Sequence, residues 1–115
     1  MPHRRQRLGA EGERAAAAWY EAGGYQVVER NWRCREGEID LVLRRGRTLV
    51  FCEVKTRSSD RFGTAAEAVT LTKQRKVRLV AGRFLEAAPF AFRSVRFDVA
   101  SVDRAGNVEV IEAAF

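Results

Sequence analysis

Two β-rich runs, residues 38–43 and 48–56, flank Arg44-Arg45-Gly46-Arg47, a connection with the length and the glycine of a hairpin. No other feature restricts the fold as strongly, because the alternating residues of such a pair go to opposite faces and a slip of one residue exchanges them. A loop of two residues (Arg45, Gly46) or of all four sets Asp40 opposite Phe51 and diagonal to Glu53. Alternation then puts Glu38, Asp40, Phe51, Glu53 and Lys55 on one face, and Ile39, Leu41, Leu43, Val50, Cys52 and Val54 on the other.

The remaining elements arrange themselves around this pair. Residues 8–22 are helix formers, with Leu8, Ala15, Ala18, Trp19 and Ala22 near one face, and Gly23-Gly24 ends the helix. A β-rich strand over 25–32 and a turn at Arg35-Glu36-Gly37 follow. A polar loop over 58–63 and a short helical turn over 65–69 precede a second helix, about 72–87, with Val69, Val77, Val80, Ala81, Phe84, Leu85 and Ala88 at helical spacing. Thr70 or Thr72 caps it, Pro89 lies beyond its end, and its other face carries Lys73, Arg75, Lys76, Arg78 and Arg83. Strands over 95–102 and 108–111 form a closing hairpin around Asp103-Arg104-Ala105-Gly106-Asn107. The order αβββαββ predicts an α/β fold, a central mixed β-sheet flanked by helices, and 115 residues make one domain. Residues 1–7, with Arg4, Arg5 and Arg7, are expected to form a flexible basic arm.

A composition of 46% hydrophobic and 31% charged residues excludes collagen-like and wholly disordered chains. A net charge of +6 favours phosphate-bearing partners. Nearly all the bases are arginine, however, which a GC-rich genome produces without a functional reason. Cys34, Cys52 and His3 are too few and too scattered for a zinc site or a disulfide framework, so a reduced, cytoplasmic setting is expected. The basic N-terminus runs into Gly9, Glu11 and Glu13 and not an apolar signal, and no stretch approaches the ~20 apolar residues of a membrane span. A soluble protein with no membrane partner is the expectation.

Chemistry concentrates in Gly37-Glu38-Ile39-Asp40-Leu41 and Phe51-Cys52-Glu53-Val54-Lys55-Thr56-Arg57. Two carboxylates roughly 5 Å apart repel by about 3 kcal/mol at an effective dielectric of about 20, so a fold keeps them together only when something neutralises them. Mg²⁺ does this, since hard cations take carboxylate, carbonyl and water oxygens. Asp40 and Glu53 are the candidate direct ligands and the Val54 carbonyl a candidate third; Lys55 would then hold a metal-bound water or stabilise charge on a phosphate. The pattern alone also admits a plainer reading: Glu53 and Lys55 alternate on a solvated strand face, with Asp40 paired to Lys55 or an arginine.

The chain resembles a known family at this point. The Gly12-Glu13 helix start, Arg30-Asn31-Trp32-Arg33, Gly37-Glu38-Ile39-Asp40-Leu41-Val42, Phe51 to Arg57, Phe62-Gly63, Lys73 and Arg96-Phe97-Asp98 look like the YraN-like predicted endonucleases, over residues 8–115. That family is part of the PD-(D/E)XK nuclease superfamily and is similar in layout to archaeal Holliday-junction resolvases. The resemblance implies a restriction-endonuclease-like fold and a Mg²⁺- or Mn²⁺-dependent endonuclease acting on phosphodiester bonds of branched or structured DNA, with no organic cofactor. By position, the superfamily's strand aspartate matches Asp40 and its acid-x-lysine matches Glu53 and Lys55. A helix-borne acid used by resolvase-like members matches Glu13, which otherwise reads as a first-turn acid favoured by the helix dipole. Ile39 stands where the superfamily's name has Pro, a departure that removes no ligand. Arg33, Arg57, Lys73, Arg75 and Lys76 are the candidate nucleic-acid contacts, or a solvated basic surface. A homodimer follows by analogy, since cutting two strands takes two sites.

Other residues take structural readings. Glu38 binds metal through water or is simply solvated; Asp98 makes a structural hydrogen bond or ion pair; Trp19 and Trp32 pack. Ser58 and Ser59 have no histidine to form a triad. The rival to the enzyme is a catalytically inactive nucleic-acid-binding module of DNA or RNA metabolism that needs no metal; a third reading is an interaction protein whose arginines reflect genome bias.

Overall fold

The computed structural model describes residues 4–57, 69–88 and 91–115. The first helix, α1 (Arg4–Ala22), begins ahead of the expected Leu8, so residues 4–7 of the expected arm have helical backbone, and residues 1–3 of it lie outside the described residues. It stops where the glycine pair demands: Gly24 takes φ 87°, and the N–H groups of Gly23 and Tyr25 both donate to the Tyr20 carbonyl, at 2.9 and 3.0 Å. Strands β1 (Gln26–Cys34), β2 (Gly37–Arg45) and β3 (Thr48–Thr56) follow, then α2 (Leu71–Ala87), β4 (Ser94–Val102) and β5 (Val108–Ile111). Thr70 is the residue that caps α2, its Oγ1 accepting the Lys73 N–H at 3.2 Å. The polar loop and short helical turn expected before α2, up to residue 68, and Pro89 lie outside the described residues.

The five strands form one sheet in sequential order, antiparallel except for β3 and β4, which run parallel with α2 as their crossover. This is the mixed α/β architecture, in the order αβββαββ, that the sequence pattern predicts. One helix covers each face. Ala16, Ala17 and Tyr20 of α1 pack on Leu41, Leu43, Val50, Cys52, Ala100 and Val102. Val80, Ala81 and Phe84 of α2 pack on Ile39, Val42, Leu49 and Phe51. Trp32 packs edge-on against Phe84, consistent with a packing role. No helix among the described residues is long and apolar enough to cross a membrane.

The register of the central hairpin differs from the expected one. Arg45 pairs with Thr48 and Leu41 with Cys52, so the two-residue loop is Gly46-Arg47, with Gly46 at φ 61°, and Val42, not Asp40, faces Phe51. A slip of two residues preserves the faces but carries Asp40 to the position beyond Leu41, level with Glu53. Ile39 departs from the expectation as well. It packs under α2 with Val42, whereas Leu41 packs under α1, so the alternation of β2 breaks at Asp40.

Asp98 anchors the opposite face. Fully buried, it accepts from Tyr20 Oη at 2.7 Å, from Arg96 Nε and Nη2 at 2.8 and 2.9 Å, and from the Ala113 N–H at 3.1 Å. Arg96 Nη2 also donates to Tyr25 Oη at 3.0 Å. The ion pair ties α1, β4 and the C-terminal segment together, the structural role expected of Asp98. Replacing Asp98 with Ala leaves Arg96 and Tyr20 without their acceptor and should cost about 3–5 kcal/mol in urea unfolding; Tyr20→Phe, which removes one hydrogen bond, should cost about 1–2 kcal/mol. A loss below 1 kcal/mol for Asp98→Ala would contradict this reading.

Candidate functional site

Past the pair Leu41 and Cys52, β2 and β3 no longer form a regular ladder, and a side chain takes over. Asp40 Oδ2 accepts the Val54 N–H at 2.8 Å, filling a bond that a backbone carbonyl would otherwise make. The aspartate is thereby fixed to the segment that carries Glu53. Val54 thus touches the site through its N–H.

Glu53 is only 3% exposed, and its Oε1 has no hydrogen-bond partner among the described residues. Burial, and then the Asp40 carboxylate, push the Glu53 carboxyl up to about 8, against the lowering pull of Lys73 and Lys55. Lys73 Nζ stands 3.7 Å from Glu53 Oε2. The solvated-face reading of Glu53 therefore fails, since a residue so buried meets little water. Glu13, on α1, is half-buried; Asn31 Nδ2 donates to its Oε2 at 2.9 Å. Burial raises the Glu13 carboxyl, Asn31 lowers it, and Asp40 and Glu38 raise it again, so the three acids share one field.

A cleft of about 460 Å³ opens over this cluster, lined by Asp40, Glu53, Glu38, Arg33, Lys73 and Lys76, with Cys34, Gly37 and Val77. Gly37 has φ 153°, and a Cβ there would come within 3.1 Å of Lys76 Cε and 3.2 Å of Val80 Cγ2, so both the backbone conformation and the close approach of α2 favour glycine at the β1–β2 turn. On the other side of the sheet a Cβ on Gly12 would lie 3.1 Å from Thr56 Oγ1, which fits the close approach of α1 to β3 one residue before Glu13.

Asp40, Glu53, Lys73, Lys76 and Arg33 therefore meet at one cleft. Lys55 acts on Glu53 electrostatically without lining the cleft, and Glu13 reaches the acids from α1. Arg57 and Arg75 are not brought to it. Arg57 donates its N–H to Val102 O at 2.7 Å and turns its guanidinium toward Glu109, 3.8 Å away, while Arg75 is exposed on α2. Two partners escaped the sequence reading. The pattern gives Lys73 only a phosphate to meet and gives Asn31 no role of its own, although Asn is among the few residue types that accept the φ of 50° found there.

Among the described residues no three His, Cys, Asp or Glu side chains are grouped closely enough to hold a metal ion by themselves. The chemistry of the donor set nevertheless fits a hard divalent cation. Asp40 and Glu53 offer two carboxylates, one with a bare buried oxygen, and Mg²⁺ is ordinarily held by one or two carboxylates with waters and substrate phosphates completing its shell.

Because the folded pKa of Glu53 is raised, the native state binds this proton more tightly than the unfolded chain. Stability in EDTA should therefore fall as pH rises from about 4.5 to about 8, with the penalty absent below that window and complete above it. Glu53→Gln should flatten this dependence and raise stability at pH 8 by on the order of a few kcal/mol. Thermal unfolding across this pH range checks it; a variant no more stable than the parent at pH 8 would contradict the assignment.

The model of the Uncharacterised protein family UPF0102 matches residues 12–102, which include Glu13, Glu38, Asp40, Glu53, Lys55, Lys73 and Lys76. A UPF0102 protein of Frankia alni is 58% identical over 97 residues, covering 84% of this chain and 81% of that protein. One of Beutenbergia cavernae is 54% identical over 105 residues, covering 90% and 89% respectively. One of Moorella thermoacetica is 46% identical across the whole of both chains. The chain belongs to the UPF0102 family, the YraN-like group whose motifs it carries.

Proposed function

We propose that this protein hydrolyses phosphodiester bonds in nucleic acid, using Mg²⁺ or Mn²⁺ held by Asp40 and Glu53. The observation that carries the reading is the unpartnered, buried Oε1 of Glu53 beside a second carboxylate. A fold that needed no cation there would be more stable with a neutral or apolar residue. When bound, the cation supplies Lewis-acid polarisation of a phosphoryl oxygen and a water of lowered pKa.

The chain's own residues do the rest. Asp40 is oriented by the Val54 N–H, and Glu53 is immobilised by its burial in β3. Lys55 orients the attacking water and offsets negative charge accumulating on the phosphate. Glu13, oriented by Asn31, adds a carboxylate from α1. Lys73, Lys76 and Arg33 at the cleft are the proposed contacts to substrate phosphates, with Arg75 and Arg57 outside it as further positive charge. Branched or structured DNA is the proposed substrate, with a homodimer supplying two sites where two strands are cut. A cytoplasmic location is part of the same proposal.

Incubating the protein and Glu53→Ala with labelled junction, flap, single-stranded and duplex DNA, in Mn²⁺, Mg²⁺ or EDTA, tests the reading. Metal-dependent products should form and should fall by about two orders of magnitude or more in the variant, while DNA binding changes little. Salt-sensitive binding with no products on any substrate would replace the nuclease with the binding-only module.

A further inference from the structure

Lys73 and Glu53 form an unequal pair. The Glu53 side chain is 4% exposed and fixed in the sheet, whereas Lys73 is 42% exposed and lies in the first turn of α2, three residues after its cap, Thr70. Only one carboxylate oxygen is engaged, Oε2 at 3.7 Å from Nζ, and Oε1 is bare. An ammonium on a flexible four-carbon stem holds such a carboxylate as a point charge and can leave it by rotation. A divalent cation bound to Glu53 would meet that ammonium at close range in a poorly hydrated site, where like charges repel strongly. The two cations therefore compete for one carboxylate.

We propose, resting on the nuclease reading above, that Lys73 is the resident counter-ion of the site: it pairs with the ionised form of Glu53 in the metal-free protein and releases it when a divalent cation binds. The released ammonium remains beside Lys76 at the cleft, free to meet a phosphate of the nucleic acid. Metal loading and polyanion binding are thereby linked through one side chain on α2. Lys73 is a positioning residue in this account, acting through Glu53.

Calorimetric titration of Mn²⁺ into the full-length protein, Lys73→Met and Lys73→Arg tests the competition without recourse to activity. Lys73→Met should bind Mn²⁺ at least about tenfold more tightly, because the repelled charge is gone. Lys73→Arg, which keeps the charge, should stay within about threefold of the parent. In parallel, Lys73→Met should unfold at a lower temperature than the parent in EDTA and gain more from added Mn²⁺. Equal or weaker Mn²⁺ binding by Lys73→Met, or a thermal gain no larger than the parent's, overturns the counter-ion role alone. Mn²⁺ binding by none of the three proteins overturns the metal-dependent reading together with it.

Discussion

A glutamate that is 3% exposed beside an aspartate is the constraint to which the surrounding structure answers. Desolvation disfavours its charged form, and the neighbouring carboxylate disfavours it further. Stability alone offers no reason to retain such an arrangement, so each element nearby can be judged by what it does for these two acids. The Val54 N–H takes one oxygen of Asp40, Lys73 approaches one oxygen of Glu53, and the other Glu53 oxygen is left bare.

The scaffold explains why the acids cannot relax apart. Asp40 sits where the alternation of β2 breaks, with Ile39 packed under α2 and Leu41 under α1, so neighbouring apolar residues on opposite faces pin the backbone. Glu53 follows Phe51 and Cys52, both fully buried and packed under different helices. From α1, Glu13 is brought in by a helix whose other contacts run through Tyr20 to the Asp98–Arg96 pair. A well-satisfied ion pair on one side of the sheet and an incompletely satisfied carboxylate on the other make the contrast informative. Asp98 is surrounded by donors and reads as structure, whereas Glu53 has an oxygen to spare, the one offered to the proposed cation.

Much of this was legible in the residues because periodicity and punctuation act locally. Gly23-Gly24, Thr70 and the apolar spacing of Val77, Val80, Ala81 and Phe84 each fix an element by short-range physics, and with them the element order αβββαββ. The pairing register was not legible, since Gly46-Arg47 and Arg45-Gly46 are both plausible two-residue loops and only packing against two helices selects one. Lys73 lies on a helix that reads as a basic surface; its contact with Glu53 depends on how closely α2 approaches the sheet, which Gly37 permits and no local pattern announces. Arg57 looked like a continuation of the acid-x-lysine run, yet the step past Thr56 turns it toward Glu109 on β5.

Everything proposed for this site rests on Asp40 and Glu53 jointly holding a divalent cation. Anomalous diffraction at the manganese edge, from crystals grown with Mn²⁺, addresses it directly. A peak is expected within coordination distance of Glu53 Oε1 and of the Asp40 carboxylate, with the Lys73 ammonium moved off Glu53. Density in which Lys73 still pairs with Glu53, and no anomalous peak stands between the two acids at saturating Mn²⁺, would contradict it.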